Sequence, residues 1–320
     1  MQPSKTFVSK AILVRKPTAF ALADTFAYLR GSRCREPNAK WLILKGRAST
    51  YSVCLLSKIL LSLIIPAYNE AARLSGTFGQ VLRYLASQSY LSEVLLVDDG
   101  SADDTAAVAQ HYFDTHACPS VAMRVISYQP NRGKGYAVRQ GLLAAQGEIA
   151  VFSDADLSTP IAELPRLLEP LLAGRYEVVF GSRAIDRAVV GVHQVWLREQ
   201  SGRFFNRVMR RLTGLPYADT QCGFKAFRLA TMRPLVQVAV LDGFGFDVEL
   251  LYLATHAGLR LLELPVAWNN VAGSKVSLRS GLHSFWEVWK VRQLAQRGAY
   301  AAVLAPKAAV TTQPVKSALS

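Results

Sequence analysis

Cysteine is scarce in this chain and poorly placed for paired chemistry. Cys34, Cys54, Cys118 and Cys222 form no C-x-x-C. A zinc site or a disulfide framework is therefore not expected, and reduced thiols are. Long apolar runs are missing too. The best window, Cys54 to Pro66, is cut by Lys58 and ended by Pro66, too short for a membrane span. No apolar stretch with a small-residue cleavage site opens the chain as a signal peptide would. Both common nucleotide fingerprints are absent: no G-x-x-x-x-G-K-[ST], and no G-x-G-x-x-G after the first strand, so neither a P-loop nor a dinucleotide fold is supported. Acids are short as well, 23 against 37 Lys and Arg, for a net charge of +14 over 320 residues. That shortage is local. Residues 1–58 hold eleven basic side chains and two acids, a net +9, while the remaining 262 residues carry +5. An excess of positive charge suggests nucleic acid or an anionic surface. The body, however, is only mildly basic and has no recognised nucleic-acid motif, so no nucleic-acid partner is expected.

What is present is apolar and patterned. With 51% hydrophobic and 19% charged residues, the chain has enough to bury a large core and is neither disordered nor coiled-coil. From Ile59 a dense alternation begins. Strands are expected at Ile59–Pro66, Glu93–Val97, Met123–Tyr128, Glu148–Phe152 and Glu177–Phe180. Helices are expected at Glu70–Ser87, Asp104–Phe113, Lys134–Ala145 and Ile161–Leu172, the last with Thr159 as N-cap and Pro160 as its first residue. This order implies a mostly parallel sheet covered by helices on both faces. Beyond residue 181 the pattern gives helices at Val195–Leu212, Phe246–His256 and Leu282–Arg297, and short strands at Gly223–Phe227 and Arg260–Val266. Residues 1–58 are expected to be a basic extension, disordered or preceding the true start; no methionine lies between Met1 and Met123. The catalytic domain is expected over 59–297, with a disordered tail over 298–320.

Three motifs fall at strand ends, where such sheets bind ligands. Asp154 and Asp156, spaced by two, are expected on one side of the strand. There they can hold a hard cation, Mg²⁺ or Mn²⁺, that keeps positions open for phosphate oxygens; helix capping explains Thr159 and Pro160 but not the two acids. Asp98-Asp99-Gly100-Ser101 suits hydrogen bonds to a base or ribose, or equally an Asx turn, with Asp103 and Asp104 as turn and capping residues. Asn131-Arg132-Gly133-Lys134-Gly135 leads into a helix whose amides can face an anion; the competing reading is a glycine entry with a solvated lysine.

Taken in order, Ile64-Ile65-Pro66-Ala67-Tyr68-Asn69-Glu70, Asp98–Ser101 and Asp154-Ala155-Asp156 resemble the signature of family 2 glycosyltransferases with the GT-A fold. A narrower resemblance is to dolichyl-phosphate β-glucosyltransferases and prokaryotic polyprenyl-phosphate relatives. It rests on Asn131–Ala137, Asp154–Pro160, Gly181–Ala184, Ser201–Asn206, Asp219–Lys225, Phe246–Leu250 and Gly273–Val276, and spans about residues 60–297. It implies an α/β fold: a nucleotide-binding, mostly parallel sheet flanked by helices, with an acceptor-side α/β extension. It also implies transfer of glucose from UDP-glucose to a dolichyl or polyprenyl phosphate, metal-dependent and inverting. Another donor, such as GDP-mannose or a UDP-N-acetylhexosamine, or a saccharide acceptor, is the alternative. In that frame Pro66, Tyr68, Glu70 and Asp98 line a nucleoside pocket, and Asp99 and Lys134 join the substrate site. Asp154 and Asp156 hold the metal. Arg183, Arg198 and Lys275 face the donor or acceptor phosphates, a solvated surface charge being the equal reading for Arg198, and Ser274 joins the substrate site. Asp156, Arg183 and Asp219 are the catalytic candidates, Asp219 orienting rather than deprotonating an acceptor already ionised at neutral pH. A glycoside hydrolase with two carboxylates explains neither the nucleotide pocket nor the Gly-Ser-Lys segment. The resemblance implies a peripheral enzyme at the cytoplasmic face of a membrane. The helix Leu282–Arg297, with aromatics beside basic residues, suits either a bilayer surface or docking on the core. Relatives of the glucosyl branch usually carry a membrane-spanning helix before the first strand; no such stretch is evident here.

Overall fold

The computed structural model describes residues 12–15, 39–45, 50–56, 58–185, 190–192, 210–269 and 278–304, with 12–56, 190–192 and 278–285 as backbone only. It divides into two compact units, Met1–Ile59 and Leu60–Ser320. The first contains β1 (Ile12–Arg15), β2 (Ala39–Lys45) and β3 (Thr50–Leu56) in an antiparallel sheet of order β1-β3-β2. Regular structure was not expected there. The aromatic and β-branched residues of Trp41-Leu42-Ile43 and Tyr51-Ser52-Val53 supply the strand preference.

The second unit is built on a seven-stranded sheet. Its strands are β4 (Leu61–Ala67), β5 (Ser92–Asp98), β6 (Val121–Ser127), β7 (Ile149–Ser153), β8 (Val178–Ser182), β10 (Phe224–Arg228) and β11 (Leu261–Pro265), in the order β11-β8-β10-β7-β4-β5-β6. β10 runs antiparallel to both neighbours and every other pair is parallel. A short parallel pair, β9 (Val190–Val192) with β12 (Trp268–Asn269), lies apart from it. Every residue of β4 and of β5 is buried, as a strand covered on both faces requires. Alternation within β4 splits the core in two. Ile64 joins Leu95, Val97, Phe152 and Phe180 on one face; Leu63 and Ile65 join Val94, Leu96, Val151 and Val179 on the other. Helix α1 (Ala71–Ala86) buries Leu74, Phe78, Val81, Leu82 and Leu85, the stripe its sequence predicts. Helices α2 (Thr105–Thr115) and α3 (Lys134–Ala144) complete the parallel half.

Four differences from the sequence reading have physical causes. Pro160, not Thr159, is the N-cap, and it opens a 3-10 turn, Ile161–Glu163, before α4 (Leu164–Leu172); Thr159 is buried instead, 4.0 Å from the Cys222 sulfur. Helix α5 (Leu229–Val238) was not anticipated, because Pro234 sits inside it, yet Leu229, Met232, Leu235 and Val236 bury its inner face. Helix α6 (Phe246–His256) matches expectation, and α7 begins earlier, spanning Leu278–Gln296. The folded domain also runs past residue 297: Tyr300 is fully buried and donates a 2.6 Å hydrogen bond to Glu249. The expected helix Val195–Leu212 falls almost wholly outside the described residues.

Candidate active site

The sheet changes direction between β4 and β7. From β4 the chain builds outward through β5 to β6, then returns to place β7 on the other side of β4. A crevice forms where strand order reverses, outside the carboxyl ends. Here it is a cavity of about 390 Å³. Pro66, Ala67, Tyr68 and Glu70 leave β4 to line one wall; Asn131, Gly133 and Lys134 at the start of α3 line another; Asp154, Ala155 and Asp156 follow β7; Asp99, Arg73 and Phe244 complete it.

The turns after β4 and β5 are fastened to each other. The Asn69 amide donates to Ser101 Oγ at 2.8 Å, and Asn69 Oδ1 accepts from the Ala102 amide at 2.8 Å. Glu70 pairs with Arg73 at 2.7 Å, and its amide donates to Thr105. The two aspartates ending β5 differ in role. Asp98 is buried, accepts from Ser127 Oγ at 2.9 Å and from both the amide and hydroxyl of Ser101, and does not line the cavity. Asp99 lines it but is occupied with the loop opposite. It accepts from Tyr128 Oη, Asn131 Nδ2 and the Arg132 and Gly133 amides, all within 2.8–2.9 Å. Burial pushes the Tyr128 phenol up, and the bond to Asp99 adds to that. Asp99 therefore shapes the α3 entry. Asp103 takes the Thr105 amide at 3.0 Å, while Asp104, the N-cap position of α2, makes no side-chain cap.

Asp154 and Asp156 reach the cavity by a turn. β7 ends at Ser153, the Leu157 amide donates to the Asp154 carbonyl at 3.1 Å, and Leu157 has φ +49°. The two acids therefore do not share a strand face as their spacing predicts; a turn after β7 delivers both. Asp156 accepts from the Ser158 amide at 2.9 Å. Asp154 Oδ1 lies 2.5 Å from Lys134 Nζ, so this lysine is paired rather than solvated. Burial alone would lower the Lys134 pKa; Asp154, with Asp247 and Asp156 nearby, outweighs it and raises the value. Gly223 leaves room for the Asp154 carboxylate: a Cβ there would lie 2.1 Å from Oδ2. Two carboxylates without nitrogen or sulfur partners are hard oxygen donors, and among the described residues no cluster of three or more His, Cys, Asp or Glu side chains could enclose a metal. Such a pair suits a Mg²⁺- or Mn²⁺-like ion that completes its coordination from water and phosphate.

Deeper, on β10, Lys225 is fully buried and donates to Asp247 at 2.6 Å and to the Cys222 carbonyl at 2.5 Å. Burial pushes the Asp247 carboxyl up. The sequence marks this pair only as a lysine inside an apolar strand. Arg183 follows β8 and is gripped by Asp219: Nε at 2.6 Å, Nη2 at 2.9 Å and the backbone amide at 3.1 Å all donate to that carboxylate. The Gln221 amide is a fourth donor. Burial alone would raise the Asp219 pKa; the Arg183 guanidinium holds it down at about 2. Neither residue lines the cavity. Arg198, Ser274 and Lys275 lie outside the described residues. Arg73 and Phe244 were not anticipated in the cavity. Phe244 does have a sequence signal, an aromatic flanked by Gly243 and Gly245.

The family Glycosyl transferase family 2 matches residues 62–233. The chain is 36% identical over 228 residues to the Dolichyl-phosphate beta-glucosyltransferase of Drosophila melanogaster, covering 68% of this chain and 69% of that one. It is 32% identical over 231 residues to the protein of the same name from Dictyostelium discoideum, covering 69% and 70%. Among solved structures, it resembles glucosyl-3-phosphoglycerate synthase from Mycobacterium tuberculosis in complex with Mn²⁺, uridine-diphosphate and glucosyl-3-phosphoglycerate. That likeness has a TM-score of 0.52 at 22% identity, over 75% of this chain and 80% of the other, and is one of fold.

Proposed function

The chain belongs to glycosyl transferase family 2 and is a glycosyltransferase with the GT-A fold, and on that footing we propose that it transfers glucose from UDP-glucose to dolichyl or another polyprenyl phosphate, with inversion. The observation that carries this reading is the convergence of Tyr68, Glu70, Lys134, Asp154 and Asp156 on one cavity at the sheet's switch point. The names of the relatives support the sugar and the lipid acceptor. The uridine-diphosphate and Mn²⁺ in the mycobacterial synthase support the donor and the ion.

In this reading Pro66, Tyr68 and Glu70 frame the nucleoside, and Asp99 holds the loop that presents Lys134. Asp154 and Asp156 would hold Mg²⁺ or Mn²⁺, which when bound stabilises negative charge on the departing nucleoside diphosphate. Lys134 supplies a further positive charge at the diphosphate. Arg183 does not line the cavity that takes the diphosphate; locked by Asp219, it is in this reading a pre-set cation for the acceptor phosphate, a donor that costs little to reorganise. Asp219 is then a positioning residue: its carboxylate is committed to four donors and held at about 2, a poor base at neutral pH. None is needed. A phosphate monoester has its second pKa near about 6 and is mostly dianionic at neutral pH. Its oxygen forms the new bond to the anomeric carbon as the bond to UDP breaks, and no proton has to move. Peripheral work at a membrane surface fits a chain in which no described helix is long and apolar enough to cross one.

The test is a panel of UDP- and GDP-sugars offered with a polyprenyl phosphate, in the presence of Mg²⁺ or Mn²⁺. Turnover with UDP-glucose supports the proposal. Turnover confined to GDP-mannose, or to soluble saccharide acceptors, overturns it.

A further inference from the structure

Helix α7 has two unlike faces. Its inner face belongs to the domain. Val288 and Val291 are fully buried in the core, and Glu287 accepts a 2.7 Å hydrogen bond from the Gly245 amide, bracing the loop that carries Phe244 into the cavity. A Cβ on Gly243 would lie 2.2 Å from the same carboxylate, so helix and loop are closely fitted. The outer face shows Trp286, 59% exposed, and Trp289, 38% exposed, their rings 4.8 Å apart. At helical spacing Lys290 and Arg297 fall beside them, and Arg292 at the edge; all three are exposed. Between Trp286 and Arg297 the single acid is Glu287, and it is buried on the opposite side. Between Trp286 and Arg297 every exposed charged side chain is therefore a cation, set beside two exposed tryptophans.

We propose that this face, Trp286 and Trp289 with Lys290, Arg292 and Arg297, is the surface by which the protein lies on an anionic bilayer. Tryptophan has an apolar ring system with a polar N–H, and it settles where headgroups meet acyl chains. Lys and Arg beside it lay their stems on the apolar boundary and their charges among anionic headgroups. A protein partner of ordinary surface would leave those cations without counter-charges, whereas an anionic lipid leaflet supplies them continuously. The inference deepens the reading of a lipid-phosphate acceptor and rests on it for its purpose: the same helix that would lie on the bilayer braces the Phe244 loop of the cavity.

The test separates docking from catalysis. Full-length protein is sedimented with vesicles of phosphatidylcholine, with and without phosphatidylglycerol, and containing no polyprenyl phosphate. The expected result is binding that requires the anionic lipid and falls with added salt. W286S/W289S should lose most of it. K290Q/R297Q should weaken partitioning by about thirtyfold, from roughly 1 kcal/mol per basic residue at the surface. Both variants should keep wild-type melting temperatures and normal turnover of a short-chain, detergent-dispersed polyprenyl phosphate. If the variants bind vesicles as the wild type does, the basic N-terminal segment carries the binding and the proposal fails. If they instead lose self-association with vesicle binding unchanged, the face is an interface between copies and the proposal also fails. Loss of turnover towards every donor in the wild type, with lipid-dependent binding intact, would overturn the catalytic reading alone.

Discussion

Asp156 and Asp154 look alike in sequence but hold different partners. Asp156 accepts a backbone amide that an asparagine oxygen can equally accept, so Asp156→Asn should leave the fold and melting temperature unchanged while turnover falls below detection; a steady-state assay beside a thermal melt checks both. Asp154 is paired with Lys134 and nests against Gly223. Gly223→Ala places a methyl group within 2.1 Å of its carboxylate, so the carboxylate must move. The expected outcome is Mn²⁺ affinity weakened at least tenfold, by roughly 1.4 kcal/mol or more, read by calorimetry on the UDP-bound protein. Asp219 carries a pH signature. Its folded pKa is depressed to about 2 from an unfolded value near about 3.9. Its contribution to stability is therefore complete above about pH 4 and lost as pH falls through about 2. Wild type should be more stable than Asp219→Asn at pH 6, and the gap should close on acidification over that window in denaturant titrations. The sequence showed these carboxylates but not their division of labour. Asp98 and Asp99 are adjacent in sequence, and only the sheet's geometry turns one inward to Ser101 and Ser127 and the other towards the α3 loop.

At the level of elements, legibility followed burial. β4 and β5 are continuous apolar runs, and α1 carries a clean stripe, so their patterns announced them. α5 did not, because Pro234 counts against a helix locally while the packing of Met232 and Leu235 overrides it. The delivery of Asp154 and Asp156 by a turn was equally hidden, since it depends on β7 stopping at Ser153. Gly100 shows how tightly the turns are set: φ is +67°, and a Cβ would lie 2.5 Å from the Asn131 amide. Gly100→Ala should destabilise the fold by about 1–2 kcal/mol for the left-handed conformation, with more from the clash, measured by urea unfolding. Turnover should fall in parallel as the Asn131–Lys134 loop shifts.

Over the whole molecule, the strand–helix alternation and the ordered motifs resembling family 2 glycosyltransferases indicated a mostly parallel sheet with its site at the strand ends, but not the strand order that sets the crevice between β4 and β7. Charge alone would have misdirected, because most of the +14 belongs to residues 1–58, a segment that supplies none of the described residues lining the cavity. What the sequence could not convey was long-range assembly: Arg183 meeting Asp219, Lys225 meeting Asp247, and Glu287 of α7 bracing the loop of Phe244. Those contacts join segments tens of residues apart. At the Asp154 and Asp156 cavity the proposed step is direct transfer of glucose from UDP-glucose to a lipid phosphate. Nuclear magnetic resonance of the product formed from UDP-glucose and a polyprenyl phosphate checks both the transfer and its stereochemistry. The wild type should give a β-linked glucosyl polyprenyl phosphate and Asp156→Asn none; an α-linked product, or equal product from the variant, would overturn the proposal.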